Sequence, residues 1–125
     1  MIQRNSIYKV ILCVAVAFSI LFLIYGYEVH RFTKDKWISN PDKRYLIVED
    51  LLSKYTLVGM SEGDVIKLLG EETNGSKQTS FKGDRTYYVP EETLVYYIGT
   101  DFLEGRWLIL SLKNQEVVSV SFGVT

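Results

Sequence analysis

Residues 10–27, VILCVAVAFSILFLIYGY, carry no charge and are fenced by Lys9 and Glu28. No other feature of this 125-residue chain restricts its fold as strongly. At a rise of about 1.5 Å per residue the run makes a helix of ~27 Å, close to the ~30 Å hydrocarbon core of a bilayer. Ile7 and Tyr8 extend it by most of a turn. Tyr25, Tyr27 and Phe32 fall where an aromatic belt meets the headgroups. The run is therefore predicted to span the membrane once, as a signal-anchor. The competing explanation is a cleaved secretory signal. That would need small residues at the end of the run, where Tyr25-Gly26-Tyr27-Glu28 stand instead. Cys13 is the one cysteine, and Leu12, not a small residue, precedes it. Cleavage there for lipid attachment would leave the new N-terminus inside the apolar run. Cys13 reads as a small apolar residue of the anchor.

This organisation gives a short flank at 1–9, an anchor at 10–27, a juxtamembrane stalk at 28–39 and one head domain at 40–125. The stalk, HRFTKDKW with its neighbours, carries cations suited to lipid phosphates. A count of Lys and Arg beside the anchor places the head in the cytoplasm, but that rule is weak for a long following domain. The chain has 14 Lys+Arg against 15 Asp+Glu, a net charge of −1. That balance lacks the basic excess of a nucleic-acid-binding surface.

The head is predicted to open with two short helices. Asn40-Pro41 is a helix start, with Asn as cap and Pro at the first helical position. The segment that follows places Tyr45, Ile47, Val48, Leu51, Leu52 and Tyr55 on one wide face, with Leu46 the misfit. Ser61 caps a second helix with Asp64 three residues on, and Gly70 ends it. Residues 71–83 have no periodicity and read as an exposed loop, either a plain connector or a contact site.

Strand patterns follow at 86–89, 93–98, 106–113 and 116–122. Pro90 suits the first of these to an edge. Asn114-Gln115 marks a tight hairpin between the last two. Alternation separates two faces. Leu94, Tyr96, Ile98, Leu108, Leu110, Leu112, Val118, Val120 and Phe122 form the expected core face against the helices. The opposite face includes Val95, Tyr97, Trp107, Ile109, Val117 and three serines, without charge. Tyr97, Trp107 and Ile109 are the candidate partner-binding patch. The alternative is that this face is covered by the stalk, Trp37 or the long loop. The fold class is thus α+β: two short helices on one face of a three- to four-stranded antiparallel sheet, preceded by one transmembrane helix.

One His, His30, and one Cys leave no Cys-His, Ser-His-Asp or His-rich metal arrangement. The acidic pairs Glu71-Glu72 and Glu91-Glu92 read as solvated surface charge. Gly59, Gly63 and Gly70 make no phosphate-cradling loop. The expectation is no catalysis, no cofactor, no metal and no small-molecule substrate.

Gly59-Met60-Ser61 before Val65-Ile66-Lys67-Leu68-Leu69-Gly70, then Leu94-Val95-Tyr96-Tyr97-Ile98-Gly99, Trp107-Leu108-Ile109-Leu110 and Val117-Val118-Ser119-Val120, resembles the SmpA/OmlA (BamE-like) family. The resemblance covers roughly residues 45–122. It implies two helices packed on a small antiparallel sheet, similar to β-lactamase-inhibitor-type modules. It also implies a non-catalytic accessory scaffold of the bacterial cell envelope, with the head outside the cytoplasm. Here a helical anchor stands where the family carries a lipid. The expected function is a membrane-anchored protein-binding or scaffold domain with an envelope protein as partner. The alternative is an inhibitor module for an extracytoplasmic enzyme.

Overall fold

The computed structural model describes residues 3–73 and 92–124. The chain forms two compact units, Met1–Arg31 and Phe32–Thr125.

The first unit is one helix, α1, Arg4–His30. Its 27 residues give a length of about 40 Å at the α-helical rise. None of its residues is buried, and it is long and apolar enough to cross a membrane. It outruns the predicted span at both ends because no proline or cap interrupts it. Ser19 donates its hydroxyl to the Ala15 carbonyl at 2.8 Å, which satisfies the run's one serine internally. Arg31 closes the unit with a two-pronged pair to Glu28, at 2.9 and 3.0 Å.

The second unit is α+β. Its helical layer holds α2 (Lys34–Ser39), a 3₁₀ turn (Pro41–Leu46), α3 (Val48–Lys54) and α4 (Glu62–Leu69). Its sheet holds β1 (Thr93–Asp101), β2 (Glu104–Lys113) and β3 (Glu116–Val124), all antiparallel in the order β1-β2-β3. The expected strand at 86–89 and most of the expected loop lie outside the described residues.

The helical layer is not the expected pair of short helices. The amphipathic segment after Asn40 breaks at Ile47, whose φ of −120° and ψ of −4° leave the helix. Before the break the chain winds as 3₁₀, at three residues per turn. That period stacks Arg44 above Ile47, and both are buried. Asn40 makes no side-chain cap; its carbonyl accepts from Lys43 N at 3.1 Å.

A further helix, α2, arises where a stalk was expected. Thr33 caps it by accepting Lys36 N at 3.2 Å. Phe32 and Trp37 are both buried in the core. Phe32 N donates to Asp50 Oδ2 at 2.6 Å, tying the start of the unit to α3. Trp37 packs edge-on against Phe32 and Tyr96, with 6.0 Å between ring centroids in each case. The compact unit therefore begins at Phe32, ahead of Asn40.

α4 follows its local signals. Ser61 Oγ accepts from Asp64 N at 3.1 Å, and Gly70 ends the helix at φ +76°. Val65 and Leu69 point into the core with Leu51 and Leu57.

β1 and β2 turn the predicted residues inward: Leu94, Tyr96, Ile98, Leu108, Leu110 and Leu112 are all in the core. β3 does so only in part. Its register shifts between Ser111 and Leu112, so that Leu112 pairs Val117 while Ser111 pairs Ser119. Val118 is the extra residue of a β-bulge, so that Val117 before it and Val120 and Phe122 after it all stand opposite core residues of β2, namely Leu112, Leu110 and Leu108. Val117, expected outside, is in the core; Val118 is 50% exposed. Val120 is partly buried and Phe122 is 52% exposed.

Gly99 joins the layers. Its φ is +139°, and a Cβ there would sit 2.7 Å from Tyr45 Cδ1 and 2.9 Å from the Asp42 carbonyl. Only glycine lets the 3₁₀ turn lie this close to β1.

Candidate interaction surfaces

The two edges of the sheet differ, and the difference follows from where backbone polar groups point. Val95 N donates to Glu72 Oε2 at 3.1 Å, and its carbonyl accepts from Thr73 N at 2.9 Å. Tyr97 N donates to Thr73 Oγ1 at 2.9 Å. The Tyr97 carbonyl accepts from Arg44 Nη1 at 3.1 Å. The outward groups of β1 are thus taken up within the unit.

Arg44 makes this closure possible. It is buried, and its Nε donates to the Trp37 carbonyl at 2.6 Å. Its guanidinium lies 4.8 Å from the Trp37 ring centroid. Burial lowers its pKa below the ordinary arginine value, yet two carbonyls and an indole face hold the cation in place. Tyr96, beside it in the core, donates to the Gly70 carbonyl at 2.9 Å. Burial, with Glu72 and Glu71 adding to it, pushes the Tyr96 phenol well above its ordinary range. It is a neutral donor at any physiological pH.

β3 is the other edge. Val95 and Tyr97 direct their polar groups away from β2, so Ile109 and Trp107 direct theirs toward β3, opposite Ser121 and Gly123. Val120, Phe122 and Val124 then point theirs outward. The start of β3 is closed: Val117 accepts from Gly59 N at 2.8 Å and donates to Met60 O at 2.9 Å. Beyond that, among the described residues, no segment pairs with β3 at Val120, Phe122 or Val124. The open stretch carries no charge and no proline, the devices that usually blunt a sheet edge.

Beside this edge lies a groove of about 340 Å³. Tyr45, Val48, Leu52, Ile98 and Phe122 give it apolar walls, and Glu49 and Arg106 sit at it as one charge of each sign. Tyr45 and Phe122 are each about half exposed. Phe122 stands opposite Leu108 on the helix-facing side of the sheet and forms one wall of the groove.

The predicted patch lies on the opposite face. Tyr97 and Trp107 are cross-strand partners in an edge-to-face pair, with centroids 5.4 Å apart and planes at 68°. Both are part-buried. The Tyr97 hydroxyl also bonds Thr100 Oγ1. Ile109 is only 7% exposed and its cross-strand neighbour Val95 is fully buried. The structure therefore brings the three residues together but leaves Ile109 inaccessible. Trp37, considered as a cover for this face, lies in the core with Tyr96 instead.

The sequence reading passed over a third feature, the β1–β2 turn. Asp101 pairs Glu104, and Phe102 and Leu103 form the tip. These two side chains are 97% and 99% exposed. Phe102 has φ +54°, a conformation usual for glycine. The signal was present: Asp-Phe-Leu-Glu puts two large apolar residues where hairpins normally carry Asn-Gly.

Among the described residues no group of three or more His, Cys, Asp or Glu side chains is placed to hold a metal ion. No family model, curated protein or solved structure matches the chain.

Proposed function

We propose that the chain is a membrane-anchored, non-catalytic protein-binding domain of the bacterial cell envelope, with its head outside the cytoplasm. The observation that carries this reading is the open edge of β3 beside the groove. An extended segment of a partner could add as a strand along Val120–Val124 and place alternate apolar side chains in the groove. Strand addition of this kind draws affinity from main-chain bonds and specificity from side-chain pockets. The Tyr97–Trp107 pair is a second contact surface on the opposite face. The likeness of Gly59-Met60-Ser61 and the strands to the SmpA/OmlA family supports a scaffold role and an extracytoplasmic head. Absence of catalysis belongs to the same reading, supported by a chain with one His and one Cys.

The test is crosslinked pull-down of the full chain from native membranes, with wild type, Phe122→Lys and Trp107→Ala compared. Phe122 is half exposed, so a lysine there is tolerated by the fold but puts a charge on the edge. Losing the burial of one Phe costs about 2 kcal/mol, roughly a thirtyfold drop in affinity. The expected result is loss of one envelope protein with Phe122→Lys and a smaller reduction with Trp107→Ala. Recovery unchanged in both folded variants contradicts the proposal. Proteolysis of intact cells tests the topology: the head is expected to be cleaved, and full protection contradicts an outside location.

A further inference from the structure

We infer that the Phe102-Leu103 hairpin tip is a second membrane contact, which dips into a zwitterionic lipid surface. The inference rests on the membrane-anchored reading and adds a site to it.

Three observations carry it. Phe102 and Leu103 are the two most exposed large apolar side chains among the described residues, and they are adjacent. Phe102 holds a positive φ at the turn, where glycine would relieve the strain without exposing an aromatic ring to water. A strained, fully exposed Phe-Leu pair works against folding and solubility alike, so its use lies outside the folded unit. The third observation selects the occupant. Asp101 and Glu104 form the last cross-strand pair beneath the tip, and both are exposed. A bilayer offers acyl chains to the two apolar side chains. The ammonium groups of phosphatidylcholine or phosphatidylethanolamine face the two carboxylates at the headgroup level. An anionic surface would repel them. The chain's own α1 is apolar and long enough to cross a bilayer and ends at His30, two residues before the second unit begins. A tether that short keeps the bilayer at high effective concentration, so a weak contact suffices.

The experiment uses the full chain with Cys13→Ser and Leu103→Cys, the new thiol carrying an environment-sensitive fluorophore. It is reconstituted into phosphatidylcholine–phosphatidylethanolamine vesicles or into phosphatidylglycerol vesicles, each with and without lipids brominated in the acyl chains. Asn114→Cys, at the tip of the other hairpin, is the control position. At position 103 the expected result is blue-shifted emission and strong bromine quenching in the zwitterionic vesicles. In phosphatidylglycerol at low salt the quenching is expected to fall at least about tenfold, with partial recovery at high salt as the repulsion is screened. The added substitution Phe102→Ser should abolish it, and position 114 should stay unquenched. A chain that floats with the vesicles while its 103 label stays in water overturns the tip contact alone. Equal quenching at 103 and 114, or stronger quenching in phosphatidylglycerol, also overturns it. A chain that does not float overturns the anchor and the tip together.

Discussion

Trp37 lies against Phe32, Tyr96 and the Arg44 guanidinium, and its Nε1 is buried without a hydrogen-bond partner among the described residues. Truncation to alanine opens a cavity at the centre of a small core. Trp37→Ala should cost about 3–5 kcal/mol, a large share of a typical domain stability. Trp37→Phe should cost much less, because the orphaned N–H contributes no bond to lose. Urea unfolding of the two variants checks the order. Tyr96 makes a separate prediction. Its phenol is pushed upward in the folded state, while an unfolded tyrosine ionises near about pH 10. Below that pH both states keep the proton, so the stability tied to Tyr96 is complete. Above it the unfolded chain loses the proton and the native chain does not, so stability falls by up to about 1.4 kcal/mol per pH unit. Alkaline denaturation of Tyr96→Phe should show a shallower slope than wild type. An identical slope contradicts the assignment. Trp37 was not legible as a core residue, because a tryptophan among cations next to an apolar run is satisfied equally well by a membrane interface. Its burial depends on Arg44 and Tyr96, which are distant in sequence.

Elements were legible where local chemistry decides them. α4 begins at a serine cap and ends at a glycine, and both signals lie within the helix's own residues. The inward residues of β1 and β2 are as expected, although their register shifts between Tyr97 and Gly99. The segment after Asn40 was half legible. Over six residues a period of 3.0 and one of 3.6 differ little, and the bonds from Arg44 to the Trp37 and Tyr97 carbonyls select the tighter winding. In β3, Val120 and Phe122 share the face of Leu110 and Leu108, as alternation indicates, whereas the bulge at Val118 puts Val117 in the core in its place. Of the candidate patch, the pairing of Tyr97 with Trp107 could be inferred from alternation, and the burial of Ile109 could not. α2 supplies the prediction at this scale. Residues 32–125 should unfold cooperatively in urea, because all of the described core lies within them. Residues 40–125 lack Phe32 and Trp37 and should show a broad transition with no folded baseline. A cooperative transition in the shorter fragment contradicts the role assigned to α2.

At the scale of the whole molecule, one chain joins an exposed apolar helix to a unit that carries its own core. The helix has no buried residue, so its 27 residues need a non-aqueous surrounding that the described protein does not supply. Burying that much apolar surface in lipid far outweighs anything a short juxtamembrane segment could offer. The head has the complementary character: 11 Lys+Arg against 14 Asp+Glu over residues 32–125, a compact core, one sheet edge unpaired among the described residues and a hairpin tip of two bare apolar side chains. In the proposed function anchor and head together make a tethered contact domain, and everything proposed for its surfaces presumes that the tether stays in place. The direct measurement is the intact mass of the protein recovered from the membrane fraction after an alkaline carbonate wash. The account predicts that the chain resists the wash and keeps its apolar segment, at the full 14.4 kDa. A washed-out protein, or a mature form that starts beyond Gly26, contradicts it.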